Sequence, residues 1–131
     1  MRRDMRRLKK PAIKALKNKL DKLFSDYIRQ RGADENGTNN CVTCGALKHW
    51  KELQCGHWHS RRHLATRFDP MNSQVQCGRC NVLLRGNYTA YARFMYANYS
   101  AQQLDELEAL SRTTIKMTRS DYEALIEKYK A

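Results

Sequence analysis

Apolar positions recur at helical spacing towards both ends of the chain and lose that rhythm in the middle. Ile13, Leu16, Leu20, Leu23, Phe24, Tyr27 and Ile28 fall on one helical face, with lysines opposite. Pro11 can open this helix at its first turn, and Gly32 with the polar run GADENGTNN ends it in a predicted loop. Between Cys41 and Asn87 the periodicity disappears, and Cys, His, Gly, Asn and Arg crowd into short segments. Helical patterning returns over residues 88–99, with Tyr91, Phe94, Met95 and Tyr99 on one side. Ser100 with Gln103 predicts a capping box ahead of Leu104, Leu107 and Leu110. Thr118 with Asp121 starts a last helix bearing Tyr122, Leu125, Ile126 and Tyr129. The pattern predicts one compact, α-rich domain built around a central cysteine-rich module. Residues 1–40 form a basic arm and amphipathic helix, 41–87 a cysteine-rich module, and 88–131 C-terminal helices.

Composition adds two constraints. At 131 residues, with 41% hydrophobic positions largely committed to amphipathic helices, the central core is thin and a staple is expected. A net charge of +12 points to a polyanionic partner, with nucleic acid the default. Arg2, Arg3, Arg6, Arg7, Lys9 and Lys10 concentrate part of that charge in the N-terminal arm. No apolar run is long enough to span a membrane. The basic N-terminus lacks the apolar stretch and cleavage site of an export signal, so a cytoplasmic protein is expected.

Five cysteines include two C-x-x-C pairs, Cys41/Cys44 and Cys77/Cys80, each with an adjacent or intervening glycine. Without an export signal, such pairs read as metal ligation rather than disulfides. Two residues between thiolates let both sulfurs reach one tetrahedral Zn²⁺, and this form suits zinc better than an iron–sulfur cluster. Such a structural zinc can contribute roughly 10–16 kcal/mol of apparent folding free energy, which would offset a thin core. Closed tetrathiolate zinc does not catalyse; it holds other groups in place. Cys55 stands apart and reads as a small buried hydrophobe.

The insert between the knuckles carries an ordered string. It comprises Cys41-x-x-Cys44-Gly45, Gly56-His57-aromatic, Arg67-Phe68-Asp69, Asn72, Gln76-Cys77-x-x-Cys80-Asn81 and Gly86-Asn87. On these residues the chain resembles the phage NinG (Rap) recombination proteins, placed with the HNH endonucleases, from about Tyr27 to the C-terminus. The resemblance implies an α+β, mostly helical fold, with a zinc-stapled ββα-metal (HNH, His-Me finger) module flanked by an N-terminal helix and C-terminal helices. It implies a β-hairpin packed on a helix, with a catalytic Mg²⁺ or Mn²⁺ between them. His57, on the first strand, would take a proton from the water attacking a phosphodiester, a task suited to imidazole. Asn81 would help to hold the ion, and Asn72 would orient His57 or fasten the loop. The implied substrate is branched DNA (a Holliday junction, D-loop or flap), and the implied partners are phage or host recombination proteins.

The sequence departs from the family pattern at the acidic ligand. Gly56 stands directly before the histidine, and Gln54 stands where some relatives carry Asp. His59, His63 and Asp69 are alternative ligands, and His57 and His59 could exchange roles. Asp69-Pro70 reads first as a turn initiator. Arg61, Arg62, Arg67, Arg79 and Arg85 are the candidate phosphate contacts, a footprint that gives steep salt dependence and little base specificity. The apolar faces at 88–99 and 104–129 could supply a homodimer surface, although core packing explains them equally well. The competing class is a non-catalytic zinc-stabilised nucleic-acid-binding protein. It accounts for the cysteines and charge but not for His57, Asn72 and Asn81 in that order. A zinc deaminase lacks its His-x-Glu element here.

Overall fold

The computed structural model describes residues 11–130, so the basic arm over residues 1–10 lies outside the described residues. Helix α1 (Ile13–Gln30) buries Leu16, Leu20, Phe24 and Ile28, the stripe expected from the spacing, while Ile13 and Tyr27 are exposed. Pro11 precedes the helix, and the Ala12 carbonyl accepts its first bond, from the Leu16 amide at 3.1 Å. Gly32 follows α1 with φ of +82°, a conformation that glycine adopts without strain.

The polar run predicted as loop contains a strand. Strand β1 (Thr38–Asn40) pairs antiparallel with β2 (Leu47–His49), Thr38 opposite His49. Two side chains build it. The Asp34 carboxylate accepts the Asn36 and Thr38 amides, both at 2.9 Å, and turns the chain. The buried Asn39 amide donates to the Arg29 and Arg31 carbonyls, both at 3.0 Å, satisfying groups that the end of α1 leaves open.

A second hairpin pairs β3 (Gln54–His57) with β4 (Ser73–Gln76), in a register running from Gln54 opposite Gln76 to His57 opposite Ser73. Residues 58–72 connect the strands through a single helical turn, α2 (Leu64–Arg67), and a 3₁₀ turn over Pro70–Asn72. Asp69 caps the latter by accepting the Met71 amide at 2.9 Å, the turn-initiating role expected of Asp69-Pro70. After β4 comes a wide turn over Arg79–Leu83, then α3 (Tyr88–Asn98), α4 (Ala101–Ser111) and α5 (Arg119–Tyr129). The predicted capping box of Ser100 with Gln103 forms, and Thr118 with Asp121, expected to start the last helix, makes a second one.

The fold is therefore mixed α+β, with two small sheets among helices. It divides into two compact units, with a boundary inside α1: residues 24–116 form one, and the described residues up to 23 with those from 117 form the other. In the larger unit Cys41, Leu53, Val75, Cys77 and Cys80 make one buried cluster; Tyr91, Met95, Leu104 and Leu107 make another, with Trp58, Met71, Phe94 and Tyr99 against it. In the smaller unit Leu16, Leu20, Tyr122, Ile126 and Tyr129 are buried. No helix among the described residues is long and apolar enough to cross a membrane.

Candidate metal centre and hairpin site

The four paired cysteines converge. The Sγ atoms of Cys41, Cys44, Cys77 and Cys80 all lie within 4.8 Å of one another, and Cys44 and Cys77 are 3.6 Å apart. Sulfurs at the corners of a zinc tetrahedron with 2.3 Å bonds would be about 3.8 Å apart. The donor set therefore fits a closed zinc site. Local backbone geometry prepares it. The Cys80 amide donates to Cys77 Sγ at 3.4 Å, and Asn87 Nδ2 donates to Cys80 Sγ at 3.6 Å. Gly45, at φ of +79°, closes the first knuckle with its amide on the Cys41 carbonyl at 2.8 Å.

The thiols do not titrate alike. Burial opposes ionisation of Cys41, but bonds from the Thr43 hydroxyl and the Cys77, Thr43 and Cys44 backbone outweigh it and bring the thiol down to about 6. A backbone bond at Ala46 favours the Cys44 thiolate, yet burial and the neighbouring Cys41, Cys77 and Cys80 push that thiol up to about 12. Four thiolates this close repel one another, and a bound cation is the natural means of ionising all of them.

On the hairpin, side chains alternate between faces. Gln54, Gly56 and Gln76 share one face. Gln54 Oε1 accepts Asn81 Nδ2 at 2.8 Å, joining β3 to the turn after Cys80. A Cβ built on Gly56 would meet Gln76 Oε1 at 1.9 Å and its Cδ at 2.7 Å. Gln76 is fully buried and held by Nε2 bonds to the Gly86 carbonyl at 2.9 Å and Thr43 Oγ1 at 3.2 Å. Glycine stands before His57 because this glutamine fills the space. Tyr91 Oη caps the same strand by donating to the Gly56 carbonyl at 2.7 Å.

His57 ends β3 one residue out of phase with Gly56. Its ring lies 6.3 Å from that of Phe24, and its Nε2 is 2.9 Å from the Arg67 carbonyl. A carbonyl only accepts, so Nε2 carries the hydrogen and Nδ1 is the basic nitrogen. His57 thus leaves the face of the hairpin opposite to Gln54, and it is Gln54, not His57, that pairs with Asn81 from the following turn. Cys55 shares the His57 side of β3 and is half-buried rather than part of the core; burial pushes its thiol up to about 11.

Asn72 is fully buried and fastens the loop after His57. Its Oδ1 accepts the His59 amide at 2.8 Å, and its Nδ2 donates to the His59 and Thr66 carbonyls at 3.0 and 3.2 Å. The His59 ring lies 4.8 Å from that of Trp58, with Nε2 buried and unbonded. Burial lowers its pKa, against the pull of Glu108, with His63 and Arg112 adding to the fall. Asp69 is committed to its cap, and His63 precedes α2 without a side-chain cap bond. Arg61, Arg62, Arg79 and Arg85 are exposed; Arg67 is half-buried, donating to the Arg61 carbonyl at 3.1 Å and lying over the Phe68 ring. No periodicity or motif points to Arg31, which ties the end of α1 to β4 through the Pro70 and Ser73 carbonyls and Gln74 Oε1.

Asn81 and Gln54 offer amide oxygens, hard donors that suit Mg²⁺ or Mn²⁺ when water and phosphate complete the shell. Among the described residues the four cysteines are the one convergent set of three or more Cys, His, Asp or Glu. Compared with known proteins, the family model for the bacteriophage lambda NinG protein matches residues 1–131. No curated protein matches, and no solved structure matches.

Proposed function

Because the chain belongs to the bacteriophage lambda NinG protein family, we propose that it is an HNH-type endonuclease that hydrolyses phosphodiesters in branched DNA. The observation that carries this reading is the bond between His57 Nε2 and the Arg67 carbonyl. It fixes one tautomer of a half-buried imidazole at the end of a strand and makes Nδ1 its basic nitrogen, the form a general base requires. The β3–β4 hairpin supports the ββα-metal assignment, while a five-residue turn over Arg79–Leu83, holding Asn81, stands where that assignment calls for a helix.

In this mechanism His57 Nδ1 takes a proton from a water molecule as its oxygen bonds to phosphorus and the bond to the leaving sugar oxygen breaks. Asn72 acts as a positioning residue by fixing the loop that follows His57. Arg61 and Arg62, exposed on that loop, would hold phosphate oxygens. A Mg²⁺ or Mn²⁺ ion would supply charge neutralisation at the phosphate; Asn81 is the ligand that the family resemblance implies, although its partner Gln54 and His57 lie on opposite faces of β3. The cysteine cluster would carry structural zinc outside the reaction. The +12 charge supports a nucleic-acid partner.

One observation favours a second reading, a zinc-stabilised DNA-binding protein without catalysis: Gln54 and Asn81 are both neutral, and His57 leaves the opposite face. The two readings separate on labelled linear duplex, flap and four-way junction, incubated with magnesium, with manganese or with neither. Cleavage that requires the ion, and that His57→Ala abolishes while DNA binding persists, is expected. Salt-dependent binding by a wild-type protein that never cuts would establish the second reading instead.

A further inference from the structure

The turn between the second zinc knuckle and α3 exposes three consecutive aliphatic side chains: Val82 is 60% exposed, Leu83 76% and Leu84 45%. Single exposed leucines are common, but such a run usually marks a contact surface. This run sits on a firm base. The Asn81 amide bonds the Cys77 carbonyl at 3.0 Å, the Leu84 amide bonds the Arg79 carbonyl at 2.8 Å, and the Gly86 amide bonds the Cys80 carbonyl at 2.8 Å. Arg85, Gly86 and Asn87 close the turn with φ of 51°, 95° and 47°, a left-handed run that only surrounding bonds can sustain in non-glycine residues.

The charge around the tip selects its occupant. Exposed Arg79 and Arg85 flank the three residues, and no Asp or Glu occurs between Asp69 and Asp105. A second copy docking tip to tip would bring two pairs of arginines together, a like-charge arrangement that opposes association. Nucleic acid offers phosphates for the arginines and, where stacking is broken, apolar base faces for the aliphatic groups. We propose that Val82, Leu83 and Leu84 form a wedge entering the opened base step at a DNA branch point, with Arg79 and Arg85 on the flanking phosphates. Apolar wedges of this kind unstack base steps in other DNA-bound proteins. The proposal rests on the branched-DNA reading and supplies that reading with a means of shape selection, independent of base sequence and of cleavage.

The test uses the full chain with zinc bound and no magnesium or manganese added, on a four-way junction carrying 2-aminopurine at the branch and on linear duplex of equal length. Wild-type protein is expected to bind the junction more tightly and to raise the 2-aminopurine fluorescence. Val82→Ser with Leu83→Ser should remove the rise and lower junction affinity by about tenfold more than duplex affinity, with zinc content unchanged by mass spectrometry. Leu83→Trp should keep the junction preference, since an aromatic ring also fills an opened step. A double variant that retains both the fluorescence rise and the junction preference overturns the wedge and leaves the branched-DNA reading standing. Wild-type protein without junction preference overturns both. A wild-type dimer by sedimentation that the double variant reduces to monomer assigns the tip to a second copy and overturns the proposal.

Discussion

Gln54 and Asn81 meet as two neutral amides at 2.8 Å, and their neutrality sets what the hairpin can hold. A carboxylate at 54 would keep the acceptor for Asn81 Nδ2 and add a charge for a hard cation. Gln54→Glu, nearly isosteric, is therefore expected to tighten Mn²⁺ binding in the absence of DNA by about tenfold or more, measured from the free-ion electron paramagnetic resonance signal. An unchanged affinity would remove Gln54 and Asn81 from the ion site. Asn72 presents the opposite situation, a polar residue whose bonds are all internal. Asn72→Ala strands the His59 amide and two carbonyls and should destabilise the protein by about 2–4 kcal/mol. Urea unfolding monitored by circular dichroism checks this, and a loss under 1 kcal/mol would mean that water replaces the amide about as well.

At the scale of elements, the paired cysteines bring the chain after β1 and the turn after β4 to one point, where a metal could hold them. Cys80→Ser should release zinc, measured by mass spectrometry, and cost cooperative unfolding of residues 24–116. A variant that lost zinc yet melted cooperatively at the wild-type temperature would show that the core suffices without the metal. The helices were legible because period and caps agreed: Leu16, Leu20, Phe24 and Ile28 in α1, and the Ser100 and Thr118 boxes at α4 and α5. The cysteine convergence was legible from spacing. The β1–β2 hairpin was not, because Thr38-Asn39-Asn40 carries no apolar alternation; Asp34 and Asn39 build it through backbone bonds that no periodicity encodes. The role of Asn72 as a loop fastener was within reach of motif order, whereas the pairing of Asn81 with Gln54 rather than with His57 depended on the phase of a four-residue strand.

For the molecule as a whole, charge is the property with the longest reach. The net +12 should draw DNA through its phosphates, so affinity falls steeply with salt. Arg61→Gln with Arg62→Gln should lower the slope of log affinity against log salt by about two, as expected when two phosphate contacts disappear; an unchanged slope would assign both to solvent. The apolar faces of α3 and α4 serve the interior, with Tyr91, Met95, Leu104 and Leu107 in one buried cluster, while Tyr88, Tyr96 and Leu110 remain outside. The crowded neighbourhood of Gly56 also restricts how this hairpin could be redesigned or could diverge. With Gln76 fixed against Thr43 and Gly86, even one extra carbon at 56 collides with a side chain that has nowhere to go. A laboratory trajectory seeking an aspartate immediately ahead of the histidine would first have to dismantle Gln76, whereas position 54 lies open to the same change in a single step.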